Sequence, residues 1–183
     1  MLFRSNEILS IRSHDVYRKR IIDPIHKRYR AILRECTVTI TSYTMSDQET
    51  LRLFGNSEDD IQKAAQLLKD GKLVAFPTET VYGLGASVFN PEALKKVFQA
   101  KGRPADNPLI AHICSIEELQ LLAEEIPEDA MKLAKAFFPG PLTIVLPAKK
   151  TIPREATGGL ETIAIRMPNH PIALQLLKLS GPL

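Results

Sequence analysis

The chain has 183 residues, of which 44% are hydrophobic and 25% are charged, and its formal net charge is +3. This length suits one domain, and the composition is that of a globular protein rather than a disordered or fibrous one. No apolar run approaches the roughly 18 residues of a membrane span, and the N-terminus has no apolar signal region. We therefore expect a cytoplasmic protein without a membrane anchor.

The basic residues are concentrated at the N-terminus. Residues 1–44 contain nine Lys or Arg and four Asp or Glu, a balance of +5, whereas the rest contains fifteen and seventeen, a balance of −2. No apolar period holds in this segment, although Arg34 to Tyr43 suits one short strand. We interpret residues 1–44 as a basic, poorly ordered N-terminal extension, with Met45 as the candidate true start.

Regular periodicity begins at Ser57, which suits a helix N-cap because three acidic residues follow it. Apolar residues at helical spacing then lead to Gly71, a typical C-terminal glycine. The remaining pattern alternates strands and helices, which predicts an α/β domain. The predicted strands cover 73–76, 108–113, 142–146 and 162–166, and the further helices cover 91–101, 115–122, 128–138 and 171–179.

Polar side chains follow the first predicted strand of this domain. Because side chains alternate along a strand, we expect Thr78 and Thr80 on one side and Glu79 on the other. Two hydroxyls on one side suit a small polar ligand, and ligands bind beyond the carboxyl ends of strands in open α/β sheets. Gly83 and Gly85 permit a tight turn or a close backbone approach. A strand end that simply turns at a glycine pair is the alternative.

A basic loop follows the helix that begins at residue 91. The helix dipole alone favours a cation at this end, so Lys101 by itself signifies little. Gly102 suits a left-handed residue, and Arg103 and Asn107 each precede a proline, which stiffens the loop. The forked donors of Arg103 and the point charge of Lys101 suit phosphate. The loop predicts an anion site, although it contains no Walker loop or dinucleotide fingerprint.

Two polar residues lie in apolar strands. A lone His such as His112 is most often a packed, hydrogen-bonded residue, but this strand leaves the basic loop directly. Arg166 ends a strand and needs a partner, which is either an Asp or Glu of the protein or a substrate carboxylate. Thr162 lies on the same face. Cys36 and Cys114 have no metal-ligand spacing, which predicts free thiols in a reducing compartment and no metal site.

Four segments, in this order, resemble the threonylcarbamoyl-AMP synthase family, which is built on the YrdC-like domain. They cover residues 75–85, 101–113, 138–143 and 162–168. The resemblance implies a twisted mixed β-sheet flanked by helices around a concave, positive pocket. It implies a partial YrdC-like domain over residues 57–183, incomplete at the C-terminus, because the family continues into a strand that ends in a Ser-x-Asn motif. Residues 1–44 have no counterpart in the family.

Family members condense L-threonine, bicarbonate or CO2, and ATP into L-threonylcarbamoyl-adenylate and pyrophosphate. A partner complex then transfers the threonylcarbamoyl group to adenosine 37 of tRNA. The resemblance implies that Lys101 and Arg103 are catalytic and bind ATP, together with Asn107 and Thr162. A Mg2+ ion is expected on the phosphates, with water as several of its ligands.

The resemblance further implies that Thr80, His112 and Arg166 bind L-threonine, Arg166 through the carboxylate. Because the Ser-x-Asn segment contributes to the family's site, we expect the 183-residue chain to be an inactive fragment. Two other functions stay open. One is a module that binds double-stranded RNA or tRNA without catalysis, which the −2 balance of residues 45–183 disfavours. The other is a related carbamoyl-transfer domain, as in hydrogenase maturation factors.

Overall fold

The computed structural model describes residues 37–41, 50–55, 57–104 and 106–183. Within these residues the strands are β1 (Thr37–Thr41), β2 (Leu51–Phe54), β3 (Leu73–Pro77), β4 (Tyr82–Gly85), β5 (Ile110–His112), β6 (Ile144–Pro147) and β7 (Thr162–Arg166). The helices are α1 (Glu58–Lys69), α2 (Pro91–Lys101), α3 (Leu119–Leu122), α4 (Glu128–Phe137), α5 (Arg154–Thr157) and α6 (Pro171–Ser180). A 3₁₀ turn, Ile116–Glu118, precedes α3.

The strands lie in two sheets. The first is antiparallel, with the order β2-β1-β3-β4. The second has the order β5-β7-β6, in which β5 runs parallel to β7 and β6 runs antiparallel to it. The predicted α/β class is therefore confirmed, with the strands divided between an antiparallel and a mixed sheet.

The first sheet extends N-terminal of the predicted domain. β1 lies within the segment 1–44 that we interpreted as an extension, and it pairs with both β2 and β3. Thr39 lies opposite Ala75 of β3. The other residues of the segment 1–44, including Met1 to Cys36, lie outside the described residues.

The helix ends follow the sequence signals. The Ser57 hydroxyl accepts a hydrogen bond from the Asp60 N–H at 3.2 Å, and the Asn90 side chain accepts one from the Ala93 N–H at 3.1 Å. Such caps satisfy donors that the first helical turn leaves free. Gly102 ends α2 with φ 58° and ψ 33°, the left-handed conformation that glycine adopts without strain.

The antiparallel sheet has a buried core on one side. Side chains of α1 and α6 pack together with those of β3, and this cluster includes Ile61, Leu68, Phe76, Leu176 and Leu183. The mixed sheet has a second core, which contains Ile113, Ile163 and Ile165. Burial of these apolar side chains supplies most of the driving force for the fold. No helix among the described residues is long and apolar enough to cross a membrane.

β4 is a strand that the sequence analysis did not predict. It forms a hairpin with β3, and Phe76 pairs with Gly83. A Cβ at Gly85 would lie 2.8 Å from the Phe76 ring, and one at Gly83 would lie 3.1 Å from it. The two glycines therefore allow the ring to pack directly on the backbone of β4, since any side chain would collide with it.

The last residues of the chain lie between the two sheets. Leu183 and His112 exchange two backbone hydrogen bonds, 2.7 and 3.1 Å long, as in an antiparallel pair. The Val88 N–H donates to the Pro182 carbonyl at 3.2 Å. Pro182 and Leu183 therefore form backbone hydrogen bonds both with β5 and with Val88, which follows β4.

Candidate functional site

A cleft of about 390 Å³ is lined by residues of β4, β5 and the basic loop. Six of the seven predicted site residues line it, and Thr78 and Tyr82 add further polar groups. The six are Thr80, Lys101, Arg103, Asn107, His112 and Arg166. Segments that are far apart in sequence are therefore brought to one cavity by the two sheets.

Thr162 is the predicted site residue that does not line this cleft. It begins β7, whereas Arg166 ends it, so the two are four residues apart along an extended strand. At about 3.3 Å per residue, the separation is roughly 13 Å. A direct role for Thr162 in this cavity therefore has no support from its position.

The lining is positively charged. Lys101, Arg103 and Arg166 contribute three cations, and no Asp or Glu occurs among the described residues that line the cleft. Burial lowers the pKa of Lys101, and the nearby charge of Arg103 acts in the same direction. Two cations near each other in a partly buried site favour an anionic ligand, which would relieve their mutual repulsion.

The basic loop is held in place by α5. The Leu109 N–H donates to the Ala156 carbonyl at 3.1 Å. Gly158 follows the helix with φ +61°, and a Cβ there would lie 2.7 Å from the Asp106 carbonyl oxygen. The backbone of Asp106 and Pro108 in the basic loop therefore packs against Gly158, where a side chain would collide with it. α5 was not predicted, because four residues are too few for a helical period to show.

His112 is fixed by two contacts. Its ring meets the Phe76 ring edge to face, with centroids 5.7 Å apart. Its Nδ1 lies 3.1 Å from the Ile110 carbonyl oxygen. Because a carbonyl only accepts, Nδ1 carries the proton of the neutral ring and Nε2 is an acceptor. Burial lowers the pKa of His112 to about 4, and the charges of Arg166 and Lys101 contribute in the same direction.

Arg166 has an acidic partner within the protein. Of the two partners that the sequence left open, a protein Asp or Glu and a substrate carboxylate, the structure shows the first. Its Nη2 donates to Glu79 Oε1 at 2.6 Å and to the Thr80 hydroxyl at 3.1 Å. Only 13% of the Arg166 side chain is exposed, and 20% of the Glu79 side chain. Nε of Arg166 is buried and has no hydrogen-bond partner among the described residues.

The turn after β3 departs from strict alternation. The hydroxyls of Thr78 and Thr80 lie 3.2 Å apart, as the prediction of a shared side requires. Glu79, however, reaches the same guanidinium as Thr80, because β3 ends at Pro77 and the next residues turn. Thr78 stabilises this turn, since its Oγ1 accepts from the Thr80 and Val81 N–H groups and donates to the Val81 carbonyl.

The donor set of the cleft does not suit a metal ion held by the protein. Among the described residues no group of three His, Cys, Asp or Glu could hold one. Mg2+ prefers carboxylate, phosphate and water oxygens, whereas the described lining contributes cations, hydroxyls, an amide and an imidazole.

Fold and site together define an α/β protein with a cleft lined by basic side chains. Comparison with known families supports this description and sharpens it. The family model for Sua5, YciO and YrdC, described as "Telomere recombination", matches residues 66–183. The chain belongs to this family, which confirms the resemblance that the sequence motifs showed.

Individual relatives agree. A threonylcarbamoyl-AMP synthase of Pyrococcus abyssi is 62% identical over 120 residues, which is 66% of this chain and 35% of the relative. One of Bacillus subtilis is 53% identical over 126 residues, 68% of this chain and 36% of the relative. A crystal structure of P. abyssi Sua5 complexed with L-threonine matches with a TM-score of 0.68 and 61% identity, over 69% of this chain and 37% of that one. The chain thus spans about a third of the length of these relatives.

Proposed function

We propose that this chain carries the substrate cleft of an L-threonylcarbamoyl-AMP synthase. Such an enzyme condenses L-threonine, bicarbonate or CO2, and ATP into threonylcarbamoyl-adenylate and pyrophosphate. The observation that carries the proposal is the gathering of Lys101 and Arg103, together with the Glu79-paired Arg166, on one cleft whose described lining has no acidic residue. ATP and bicarbonate are anionic, threonine carries a carboxylate, and the related P. abyssi protein has been crystallised with L-threonine.

The threonine end of the proposed site is built from Thr80, His112 and Arg166. A guanidinium suits a carboxylate because its hydrogen bonds to it are charge-assisted. Since Nη2 of Arg166 already donates to Glu79 and Thr80, Nη1 would be the group that receives a ligand carboxylate. The acceptor Nε2 of neutral His112 suits a hydroxyl or ammonium donor. A buried cation near a carboxylate and an acceptor near an ammonium group would fix the orientation of an amino acid.

The nucleotide end is built from Lys101, Arg103 and Asn107. Lys101 and Arg103 stand on either side of Gly102, whose left-handed turn redirects the chain at the end of α2. Both line the cleft, where they would neutralise the triphosphate and the charge that develops on it. Thr162 stays a predicted ATP contact, although it lies outside the lining.

The chemistry follows from this arrangement. The threonine ammonium first loses a proton to water; the free amine then attacks CO2, a C–N bond forms, and the nitrogen loses a second proton to give a carbamate. A carbamate oxygen then attacks the α-phosphorus of ATP in line, an O–P bond forms, and the bond to pyrophosphate breaks. The protein contributes mainly positioning and charge stabilisation, which are the principal terms in phosphoryl and nucleotidyl transfer.

The wider setting is also part of the proposal. ATP would enter with Mg2+ bound to its phosphates and to water, since the described lining has no carboxylate for the ion. The adenylate would then pass to a partner complex that modifies adenosine 37 of tRNA in the cytoplasm.

A chimera tests the proposed function. Residues 57–183 would replace the matching segment of the P. abyssi relative, which is 62% identical over 120 residues. We expect pyrophosphate release that requires threonine, bicarbonate and ATP together. Arg166→Ala in the chimera should abolish it, whereas Lys150→Ala, an exposed site outside the cleft, should not.

A folded chimera without this activity would contradict the proposal. Carbamoyl phosphate in place of threonine and bicarbonate distinguishes the carbamoyl-transfer alternative. Salt-dependent RNA binding without a requirement for ATP would favour the RNA-binding alternative. The same assay on the 183-residue chain alone tests the expectation that it makes no adenylate.

A further inference from the structure

Glu79 connects the turn after β3 to the end of β7 at one end of the cleft. It lies in the turn after β3, its Oε1 accepts from Arg166 at the end of β7, and its Oε2 accepts from the Asn169 N–H at 3.1 Å. Glu79 and Arg166 are separated by 87 residues: Glu79 follows β3 of the antiparallel sheet, and Arg166 ends β7 of the mixed sheet. The carboxylate therefore ties the antiparallel sheet to the mixed sheet beside the cleft.

Both carboxylate oxygens are used. One accepts from the Arg166 guanidinium and the other from the Asn169 backbone. Burial acts to raise the pKa of Glu79, but the Arg166 hydrogen bond and charge, with the Asn169 N–H, outweigh it and the pKa is lowered. Glu79 is therefore ionised at neutral pH and makes charge-assisted hydrogen bonds, which are stronger than neutral ones.

The effect on Arg166 is orientational. Glu79 and Thr80 together accept from Nη2, which fixes the guanidinium plane at two points. An arginine side chain has several rotatable bonds, and ordering it costs conformational entropy. Because the protein has already ordered the guanidinium, a ligand carboxylate that binds it does not bear this entropic cost. The affinity for the ligand is correspondingly higher.

We propose that Glu79 is a positioning residue, which orients Arg166 to receive the carboxylate of the amino acid substrate. This inference rests on the proposed function and deepens it, because the sequence analysis gave Glu79 no part in the site. Glu79 does not line the cleft, so it acts through Arg166 and not on the substrate itself.

Glu79→Gln is the sharpest substitution. A glutamine side chain is nearly isosteric, but its NH2 group replaces one carboxylate oxygen and would face either the Arg166 guanidinium or the Asn169 N–H, which are both donors. We expect calorimetry on the 183-residue chain to show L-threonine affinity reduced by about tenfold or more. Glu92→Gln is the matched control, because it breaks the exposed 2.8 Å ion pair with Lys95 on α2, away from the cleft, and should leave the affinity unchanged.

A second measurement follows the guanidinium directly. In ¹⁵N NMR spectra of arginine side chains, we expect Arg166 to show slow rotation of its Nη2 group, since two acceptors hold it. Arg166→Lys assigns the signal. The slow rotation should be lost in Glu79→Gln and kept in Glu92→Gln. In the wild-type protein it should disappear as the pH falls and Glu79 is protonated, a test that requires no substitution.

The outcomes separate this inference from the proposed function. If the wild type binds threonine and Glu79→Gln binds it with the same affinity, the positioning role is overturned. If neither the 183-residue chain nor the chimera binds threonine, the proposed function fails, and the NMR signal alone decides the role of Glu79. An Arg166 signal that is the same in the wild type and in Glu79→Gln would then overturn it, whereas its loss in the variant would support it.

Discussion

The Phe76 ring stands edge-on to the His112 imidazole, with centroids 5.7 Å apart and ring planes at 86°. Phe76 is only 1% exposed, and the same ring lies against the backbone of Gly83 and Gly85. Aromatic rings favour this perpendicular arrangement, because the positive edge of one meets the negative face of the other. One buried side chain therefore holds both the β3–β4 hairpin and an imidazole of the cleft.

The first prediction concerns the charge of His112. Burial should keep the imidazole neutral at pH 7, with a pKa of about 4. An NMR titration of the ring signals, assigned with His112→Gln, should give a midpoint near that value. A midpoint near the ordinary 6.5 would show that the ring is solvated and that Nε2 is not a permanent acceptor.

The second prediction is the effect of His112 on stability. Its folded pKa lies below the unfolded value of 6.5, so the unfolded state binds more protons as the pH falls. The contribution is intact above pH 6.5 and is lost progressively towards pH 4. Urea unfolding should therefore show a smaller loss of stability between these pH values for His112→Gln than for the wild type. Equal losses would mean that other groups cause the acid sensitivity.

The third prediction concerns the basic loop. Lys101→Ala and Arg103→Ala should each weaken the binding of ATP and of inorganic pyrophosphate by about tenfold or more, because each removes a charge-assisted contact. Isothermal titration at two salt concentrations measures this, and the wild type should show the steeper salt dependence.

Lys150→Ala is the matched control for the loop variants. Lys150 is exposed and does not line the cleft, so the same charge is removed elsewhere. Its affinity for pyrophosphate should equal that of the wild type. An equal loss in all three variants would indicate a general effect of net charge and would contradict a specific anion site.

The fourth prediction uses two adjacent glycines. Gly158 and Gly159 both have positive φ, +61° and +84°, so alanine is strained at either position. A Cβ at Gly158 would also lie 2.7 Å from the Asp106 oxygen and 2.9 Å from the Pro108 nitrogen, whereas the nearest atom to one at Gly159 is 3.8 Å away.

Gly158→Ala should consequently lower the free energy of unfolding more than Gly159→Ala, by about 1–3 kcal/mol for the added steric overlap. Because the overlap is with the basic loop, Gly158→Ala should also weaken ATP binding. Chemical denaturation and calorimetry check the two effects. Equal destabilisation by both variants would mean that the loop does not pack on α5 as described.

Much of the local structure could be predicted from the sequence. The cap at Ser57 and the left-handed Gly102 are confirmed, because each depends on a few neighbouring residues. β7 has the predicted bounds, Thr162–Arg166, because its apolar residues alternate clearly. Local signals of this kind are independent of the rest of the fold.

Other features could not be predicted, since they depend on distant partners. β4 contains two glycines and has little strand propensity of its own, and it forms because β3 offers a pairing edge and Phe76 fills the space. The ion pair of Glu79 with Arg166 spans 87 residues. Alternation correctly placed Thr78 beside Thr80 but gave the wrong direction for Glu79, because the chain turns after Pro77.

The central claim is that this cleft binds the carboxylate of L-threonine at Arg166. Titration of the ¹⁵N-labelled chain with L-threonine, followed by NMR, tests it most directly. We predict saturable shifts of Thr80, His112 and Arg166, which disappear in Arg166→Ala and persist in Glu92→Gln. No shifts at saturating threonine, or shifts confined to residues outside the cleft, would contradict the account.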